Sequence, residues 1–220
     1  METAAASAVR LWGYYRSSAA YRVRIAIHFK GLSVRTTPVH LRRGEQERLD
    51  YLRVNPQGLV PVLEHDGQLI RQSLAIIEYL EERFPEPPLL PSRAADRAFV
   101  RSIALSIACD IHPLNNLRVL RFLEMDMGLD SARRDSWYRH WIARGFTALE
   151  QLLSADNRVG RHCCGDSISL ADVCLVPQWF NAERFDCPLD AYPTLRRLVN
   201  AARAHPAFVA AEPERQPDAE

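Results

Sequence analysis

The sequence has almost no lysine and a formal net charge of only +1. Lys30 is the only lysine, yet Lys and Arg together number 28 against 27 Asp and Glu. A balance this close gives no reason to expect a nucleic-acid or membrane partner. The many arginines suit a local cluster that binds carboxylates, although a high-GC codon bias would produce the same excess.

The sequence also lacks a long apolar run. No uninterrupted stretch approaches the length that crosses a membrane, and the opening METAAASAV has neither the basic start nor the apolar core of a signal peptide. We therefore expect a cytoplasmic protein.

The cysteines lack the spacing of a disulfide framework or a metal site. They form no CxxC pair and no ligand pattern with histidine. The five are Cys109, Cys163, Cys164, Cys174 and Cys187. We expect reduced thiols and no metal.

A proline-rich stretch, PEPPLLPS from Pro85 to Ser92, separates two kinds of sequence. Before it, short strand-like runs alternate with helices; after it, the patterns are helical. The predicted organisation is an α/β domain over 9–85, a linker over 86–92 and an all-helical domain over 93–211. The polar segment 212–220 is expected to be a disordered tail.

Two strands are predicted early in the chain, over Leu11–Tyr15 and Ser33–Leu41, and VPVLEHDGQLIR is typical of a hairpin that turns at Asp66-Gly67. The segment YRVRIAIHFKG fits both strand and helix periodicity. We favour a helix, because parallel flanking strands need a crossover and Gly31 would end it.

Later segments indicate further helices. SLAIIEYLEERF is amphipathic behind Ser73 as its N-cap, and Ser169 and Asp172 have capping-box spacing in GDSISLADVCLVPQ. Pro177 is expected to kink the helix that follows. Tyr138 begins another run of apolar residues at helical spacing.

Several long motifs occur in a fixed order from Leu11 to about Pro217: RSSAAYRVRIAI, NPxxxVPxL, QSLAIIEYLEE and GDxxxLADxxLVPQ. Together they resemble the zeta class of the glutathione transferases. The resemblance implies a thioredoxin-like N-terminal domain followed by a C-terminal helical bundle, with glutathione as cofactor and a homodimer as the assembly.

The resemblance also implies an activity. Zeta-class proteins include maleylacetoacetate isomerases of aromatic amino acid catabolism and maleylpyruvate isomerases, in which a thiolate adds reversibly to a maleyl double bond. We favour maleylacetoacetate as substrate. Two alternatives stay open: glutathione transfer to electrophiles such as α-haloacids, and a non-catalytic binding protein.

Ser17 is the predicted catalytic residue. It follows the first strand and begins the first helix, where a hydroxyl and a helix N-terminus would stabilise a glutathione thiolate. From the residues alone a simple helix cap is the favoured interpretation of this serine, and the resemblance given above reverses the choice in favour of the catalytic role. Ala19 departs from the family, which commonly has cysteine at this position.

Arg16 is the second predicted catalytic residue and the first candidate for the substrate carboxylates, because it adjoins Ser17 in the chain. The resemblance adds Arg184 in NAERF and Arg118 as further substrate-binding arginines. It also implies a set of glutathione contacts: Ser17, Ser18, His40, Gln46, Val60 before a cis-proline, Gln72, Ser73, His112, Asn116 and Arg118. The last three are expected on one long helix after the linker.

Overall fold

The computed structural model describes residues 9–220, which form two compact units. The first consists of residues 9–89 together with His205–Glu220, and the second is Leu90–Ala204. The division after Leu89 falls inside the predicted linker, whereas His205–Glu220 joins the first unit and not the helical one. No helix in residues 9–220 is both long and apolar enough to cross a membrane.

The first unit contains a mixed four-stranded sheet in the order β2-β1-β3-β4. β1 (Val9–Gly13) pairs in parallel with β2 (Val34–Pro38) and antiparallel with β3 (Val62–His65), which pairs antiparallel with β4 (Gln68–Arg71). The two predicted strands are present, but β1 ends at Gly13 and β2 at Pro38, before the predicted ends at Tyr15 and Leu41. The hairpin is confirmed, and Asp66 and Gly67 both have positive φ, as a two-residue hairpin turn requires.

Helix α1 (Ser18–Phe29) makes the crossover between the parallel strands, so the choice of helix for this ambiguous segment is confirmed. Gly31 follows it with a φ of 64°, a left-handed conformation that glycine adopts without steric cost. Helix α2 (Leu49–Val54) lies between β2 and β3 and is too short for the sequence pattern to reveal. Helix α3 (Ser73–Arg83) follows β4.

The lone lysine is a structural residue of this unit. The Lys30 ammonium is fully buried, lies 2.7 Å from a Glu81 carboxylate oxygen and donates to the carbonyls of Phe84 and Pro87. The end of α1 is thereby fixed to the segment that leaves α3.

The second unit is helical. Its main helices are α4 (Ala94–Leu105), α5 (Leu117–Met125), α6 (Ser131–Ala155), α7 (Leu170–Arg184) and α8 (Pro193–Arg203). The predicted capping box is present at the start of α7. Pro177 lies inside this helix, which continues to Arg184.

The prediction that one long helix follows the linker was wrong. After α4 the backbone becomes a π-helix over Ser106–Ile111 and then a 3-10 helix over His112–Asn115 before α5 begins. Gly145 faces this break: a Cβ there would clash with the Ile111 side chain, so α6 packs closely against the π-helix at this glycine.

The C-terminal segment returns to the first unit. Helix α9 (Pro206–Ala211) packs on α1, with Phe208 fully buried, and a 3-10 helix follows over Pro213–Arg215. The Gln216 amide donates to the carbonyls of Ala210 and Glu212. The prediction of a disordered tail was therefore wrong.

Candidate active site

Ser17 lies where the chain turns from β1 into α1. It has an extended backbone (φ −71°, ψ 116°), and its hydroxyl oxygen accepts from the Ala20 amide at 3.3 Å, so Ser17 is the N-cap of α1. A hydroxyl that accepts a hydrogen bond keeps its own proton to donate. The cap therefore leaves Ser17 able to donate to a thiolate at the positive end of the helix dipole.

The neighbours of Ser17 differ in exposure. Arg16 is half-buried, with its guanidinium carbon 5.0 Å from the centre of the Tyr15 ring. Ser18 is buried, and Ala19 is half-buried. Arg16 and Ser17 thus remain accessible at this turn, while Ser18 belongs to the interior.

Two tyrosines precede Arg16 and were not predicted to belong to the site. Burial, followed by the adjacent Tyr15, raises the pKa of Tyr14 to about 12. The Tyr14 phenol is therefore neutral at physiological pH and does not act as a base. Its ring lies 5.0 Å from that of His40, which brings His40 beside the turn.

His40 is held by the C-terminal segment. Its Nδ1 accepts from the Arg43 amide at 3.2 Å, and its Nε2 lies 3.0 Å from a Glu220 carboxylate oxygen, which the Arg43 guanidinium also contacts at 2.7 Å. Asp218 of the same segment accepts from the Tyr15 amide at 3.0 Å. The contacts with Glu220 and Asp218 have no local signal in the sequence, because their partners are more than 170 residues apart in the chain.

Gln46 is buried in a 3-10 helix over Glu45–Glu47. Its Nε2 donates to Glu47, whereas its Oε1 has no hydrogen-bond partner among residues 9–220. A buried carboxamide oxygen of this kind is suited to accept an N–H group from a bound peptide.

The Val60-Pro61 peptide bond is cis, as predicted. The Leu59 carbonyl before it accepts from both the Tyr51 hydroxyl and the Asn55 side chain, each at 2.7 Å. These two hydrogen bonds hold in place the loop that presents the Val60 backbone. A Cβ on Gly58 would lie 3.2 Å from the Gln46 carbonyl, so Gln46 lies against this loop.

Gln72 and Ser73 stand at the start of α3, but the helix cap is not the predicted one. The N-cap is Gln72, with a φ of 72°, and Ser73 is the first helical residue. The Ser73 hydroxyl accepts from the buried Arg22 guanidinium at 3.4 Å, and the Gln72 amide donates to Gln57 at 2.9 Å. Ser73 as N-cap was therefore wrong, while the helix N-terminus stays a suitable place for a carboxylate.

The remaining predicted contacts belong to the second unit. His112 is half-buried in the 3-10 helix, Asn116 caps α5 by accepting from the Arg118 amide at 3.1 Å, and the Arg118 side chain is exposed. Arg184 is the exposed last residue of α7, with its guanidinium donating to Asn181 at 3.4 Å. The ligand contacts of these four residues stay predictions.

The residues of the first unit fit a tripeptide that carries a thiol. A hydroxyl donor lies at the N-terminus of α1, a fixed cis-proline loop offers its backbone, and a second helix N-terminus lies at Ser73. Among residues 9–220, no group of three or more His, Cys, Asp or Glu could hold a metal ion.

Comparison with known proteins decides the family. The profile described as "Glutathione S-transferase, N-terminal domain" matches residues 11–88. A probable maleylacetoacetate isomerase from Vibrio cholerae is 52% identical over 212 residues, covering 95% of this chain and 97% of that protein. The holo structure of a bacterial maleylpyruvate isomerase in the zeta class is 42% identical, with a TM-score of 0.94, covering 96% of this chain and 100% of that chain. This chain belongs to the zeta-class glutathione transferases.

A second solved relative carries ligands. The maleylacetoacetate isomerase from Methylobacterium extorquens AM1, with bound malonate and glutathione, is 42% identical with a TM-score of 0.94, covering 96% of this chain and 99% of that one. The predicted zeta-class resemblance and the glutathione transferase fold are both confirmed. In this zeta-class chain the turn at Ser17 is therefore the candidate active site.

Proposed function

We propose that this zeta-class protein is a glutathione-dependent cis-trans isomerase that converts maleylacetoacetate to fumarylacetoacetate, with glutathione as its cofactor. The observation that carries the proposal is the Ser17 hydroxyl, which caps α1 beside the half-buried Arg16. It is supported by the relatives named as maleylacetoacetate isomerases from Vibrio cholerae and Methylobacterium extorquens.

The residues of the first unit have separable tasks in this proposal. When bound, glutathione supplies the nucleophilic thiolate that adds to the maleyl double bond and leaves after rotation. Ser17 donates a hydrogen bond to the sulfur, and the N-terminus of α1 favours its negative charge. Val60 holds the cysteinyl backbone, Ser73 and the start of α3 hold a carboxylate, and Gln46 accepts an N–H group.

Arg16 is proposed to bind a substrate carboxylate. It would also stabilise the negative charge that develops on the substrate's enolate oxygen during the reaction. Its guanidinium lies over the Tyr15 ring in a cation–π contact, which limits the directions in which the Arg16 side chain can extend. Arg118 and Arg184 are proposed as further carboxylate contacts. Malonate bound to the Methylobacterium relative supports a site for dicarboxylates.

Maleylpyruvate is the second candidate substrate. The observation that favours it is the zeta-class maleylpyruvate isomerase whose structure superposes with a TM-score of 0.94. Both substrates share the maleyl end on which Ser17 and Arg16 would act. The proposal also places the protein in the cytoplasm as a homodimer.

The direct test measures glutathione-dependent isomerisation of both substrates with the wild type and Ser17→Ala. Removing a donor to the developing charge should lower kcat/KM on the order of 10²-fold. Ser17→Thr keeps a hydroxyl and should retain most of the activity. Asp130→Ala is the matched control, since it also removes a helix N-cap side chain but leaves the thiol turn intact.

The substrate with the higher kcat/KM identifies the reaction that this enzyme catalyses. Equal activity of Ser17→Ala and wild type on both substrates would overturn the role of Ser17, and no turnover of either substrate by the wild type would overturn the isomerase proposal.

A further inference from the structure

Arg24, the seventh residue of α1, is buried at 4% exposure and points back to the turn that precedes the helix. Its Nη2 donates to the Tyr15 carbonyl at 3.0 Å, and its Nη1 to the Tyr14 carbonyl at 3.5 Å. Its Nε donates to the Ala211 carbonyl at 3.1 Å. One guanidinium thus links the turn to the end of α9.

These contacts act on the turn that delivers Ser17. The Ser17 amide donates to the Tyr14 carbonyl at 2.9 Å, which closes a four-residue turn over 14–17. Arg24 binds the carbonyls of the first two turn residues, and Asp218 accepts the Tyr15 amide at 3.0 Å. Two side chains of opposite charge therefore hold three backbone groups within three residues of the Ser17 hydroxyl.

We infer that Arg24 is a positioning residue that fixes the turn over 14–17, and through it the Ser17 hydroxyl, in the geometry that stabilises the glutathione thiolate. The inference rests on the proposed role of Ser17. A hydrogen bond to sulfur weakens with small displacements, and misplacement by about 1 Å can lower a rate about 10²-fold. A planar guanidinium presents its donors in a fixed fork and so holds two adjacent carbonyls in one defined geometry, whereas an ammonium group on a flexible stem does not fix their relative orientation.

The charge of Arg24 is compensated. Burial lowers its pKa to about 10, and Asp218 is the largest of the nearby groups that oppose this shift. Arg24 therefore remains protonated at neutral pH and keeps all its donors. Asp218 belongs to the C-terminal segment, so the geometry of the catalytic turn depends on both ends of the chain.

The test compares Arg24→Lys and Arg24→Met with the wild type. Lysine keeps the positive charge but loses the fork, so it separates positioning from simple electrostatics. The readouts are kcat, KM for glutathione, and the pH titration of the bound thiol by its thiolate ultraviolet absorbance. For Arg24→Lys we expect a higher thiol pKa and kcat lowered about 10-fold at neutral pH, with a smaller change in KM.

Two further variants separate positioning from stability. Lys30→Met removes a buried cation that also donates to two backbone carbonyls, but at the opposite end of α1. It should lower the melting temperature and leave the thiol titration unchanged. Asp218→Ala changes a half-buried residue of the C-terminal segment. It should raise the thiol pKa, as Arg24→Lys does, and lower kcat about 2- to 3-fold.

The outcomes are distinguishable. A raised thiol pKa in Arg24→Lys and Asp218→Ala, with none in Lys30→Met, supports the inference. A wild-type titration and kcat in folded Arg24→Lys and Asp218→Ala would overturn it, even if both proteins are less stable. If Arg24→Lys does not fold, Asp218→Ala decides. If Ser17→Ala itself leaves the thiol pKa unchanged, the proposed role of Ser17 fails and this inference fails with it.

Discussion

Gln72 has an unusual backbone for a residue other than glycine. Its φ of 72° and ψ of 123° lie in a region that glycine adopts freely and that costs other residues on the order of 1–3 kcal/mol. The side-chain contact of Gln72, an exposed hydrogen bond to Gln57, is too weak to offset this cost. A role of the Gln72 side chain in binding the glutathione carboxylate would explain it.

The matched pair Gln72→Gly and Gln72→Ala separates these effects. Both remove the side chain, so both should raise KM for glutathione about 10-fold with a smaller change in kcat. Only glycine relieves the backbone, so Gln72→Gly should be about 1 kcal/mol more stable to urea than Gln72→Ala. Asp66→Gly, which relieves a positive φ in the hairpin turn, should leave KM unchanged.

An unchanged KM in both Gln72 variants would contradict the ligand role. It would leave the conformation of Gln72 as a structural feature of the turn before α3.

At the scale of elements, the start of α7 depends on one buried carboxylate. Asp172 is 1% exposed and accepts from the Ser169 amide at 2.9 Å, the Ser169 hydroxyl at 2.7 Å and the Cys163 amide at 3.0 Å. A buried donor that loses its partner costs about 1–3 kcal/mol. The capping box therefore holds both the helix and the loop before it.

Asp172→Ala should destabilise the protein by about 3 kcal/mol or more, since it leaves three buried donors without an acceptor. Asp130→Ala removes an exposed helix-start carboxylate that accepts from the Arg133 amide, and should cost about 1 kcal/mol. Urea unfolding of the two variants measures the difference. Equal losses would show that the buried network contributes nothing beyond an ordinary cap.

The elements that the sequence predicted correctly carry local signals. Asp66-Gly67 specifies a hairpin turn, and Ser169 with Asp172 specifies a helix start, because both act within three residues. The break after α4 has no comparable signal before Pro113. At this break Ile111 packs against Gly145, a contact that only the folded chain brings together.

Within the candidate site the same limit applies. Ser17 and the cis-proline after Val60 could be placed from motifs, since each lies in a continuous stretch of sequence. Arg24 has no sequence signal of its own that assigns it to the site, and Asp218 and Glu220 lie in the segment predicted to be disordered. Their contacts with the turn join residues that are distant in the chain, so neither propensity nor periodicity could predict them.

At the scale of the whole molecule, the first unit is built from both ends of the described chain. Phe208 is fully buried in α9, which packs on α1, the helix that Ser17 caps. Removing this side chain leaves a cavity, at a cost of about 3–5 kcal/mol. The stability of the thiol site should thus depend on residues more than 180 positions away.

Phe208→Ala should accelerate amide hydrogen exchange in α1 and raise KM for glutathione. Phe146→Ala makes the same chemical change at a fully buried site in α6 and should accelerate exchange in the second unit instead. Faster exchange confined to α9 in Phe208→Ala would contradict the dependence of α1 on the C-terminal segment.

Free glutathione counted over many turnovers tests the central claim most directly. The wild-type protein, maleylacetoacetate and limiting glutathione are mixed, and the free thiol and the trans product are measured together. The isomerase account predicts many equivalents of product per glutathione with the thiol concentration unchanged. Loss of one thiol per product, or equal turnover without glutathione, would contradict it.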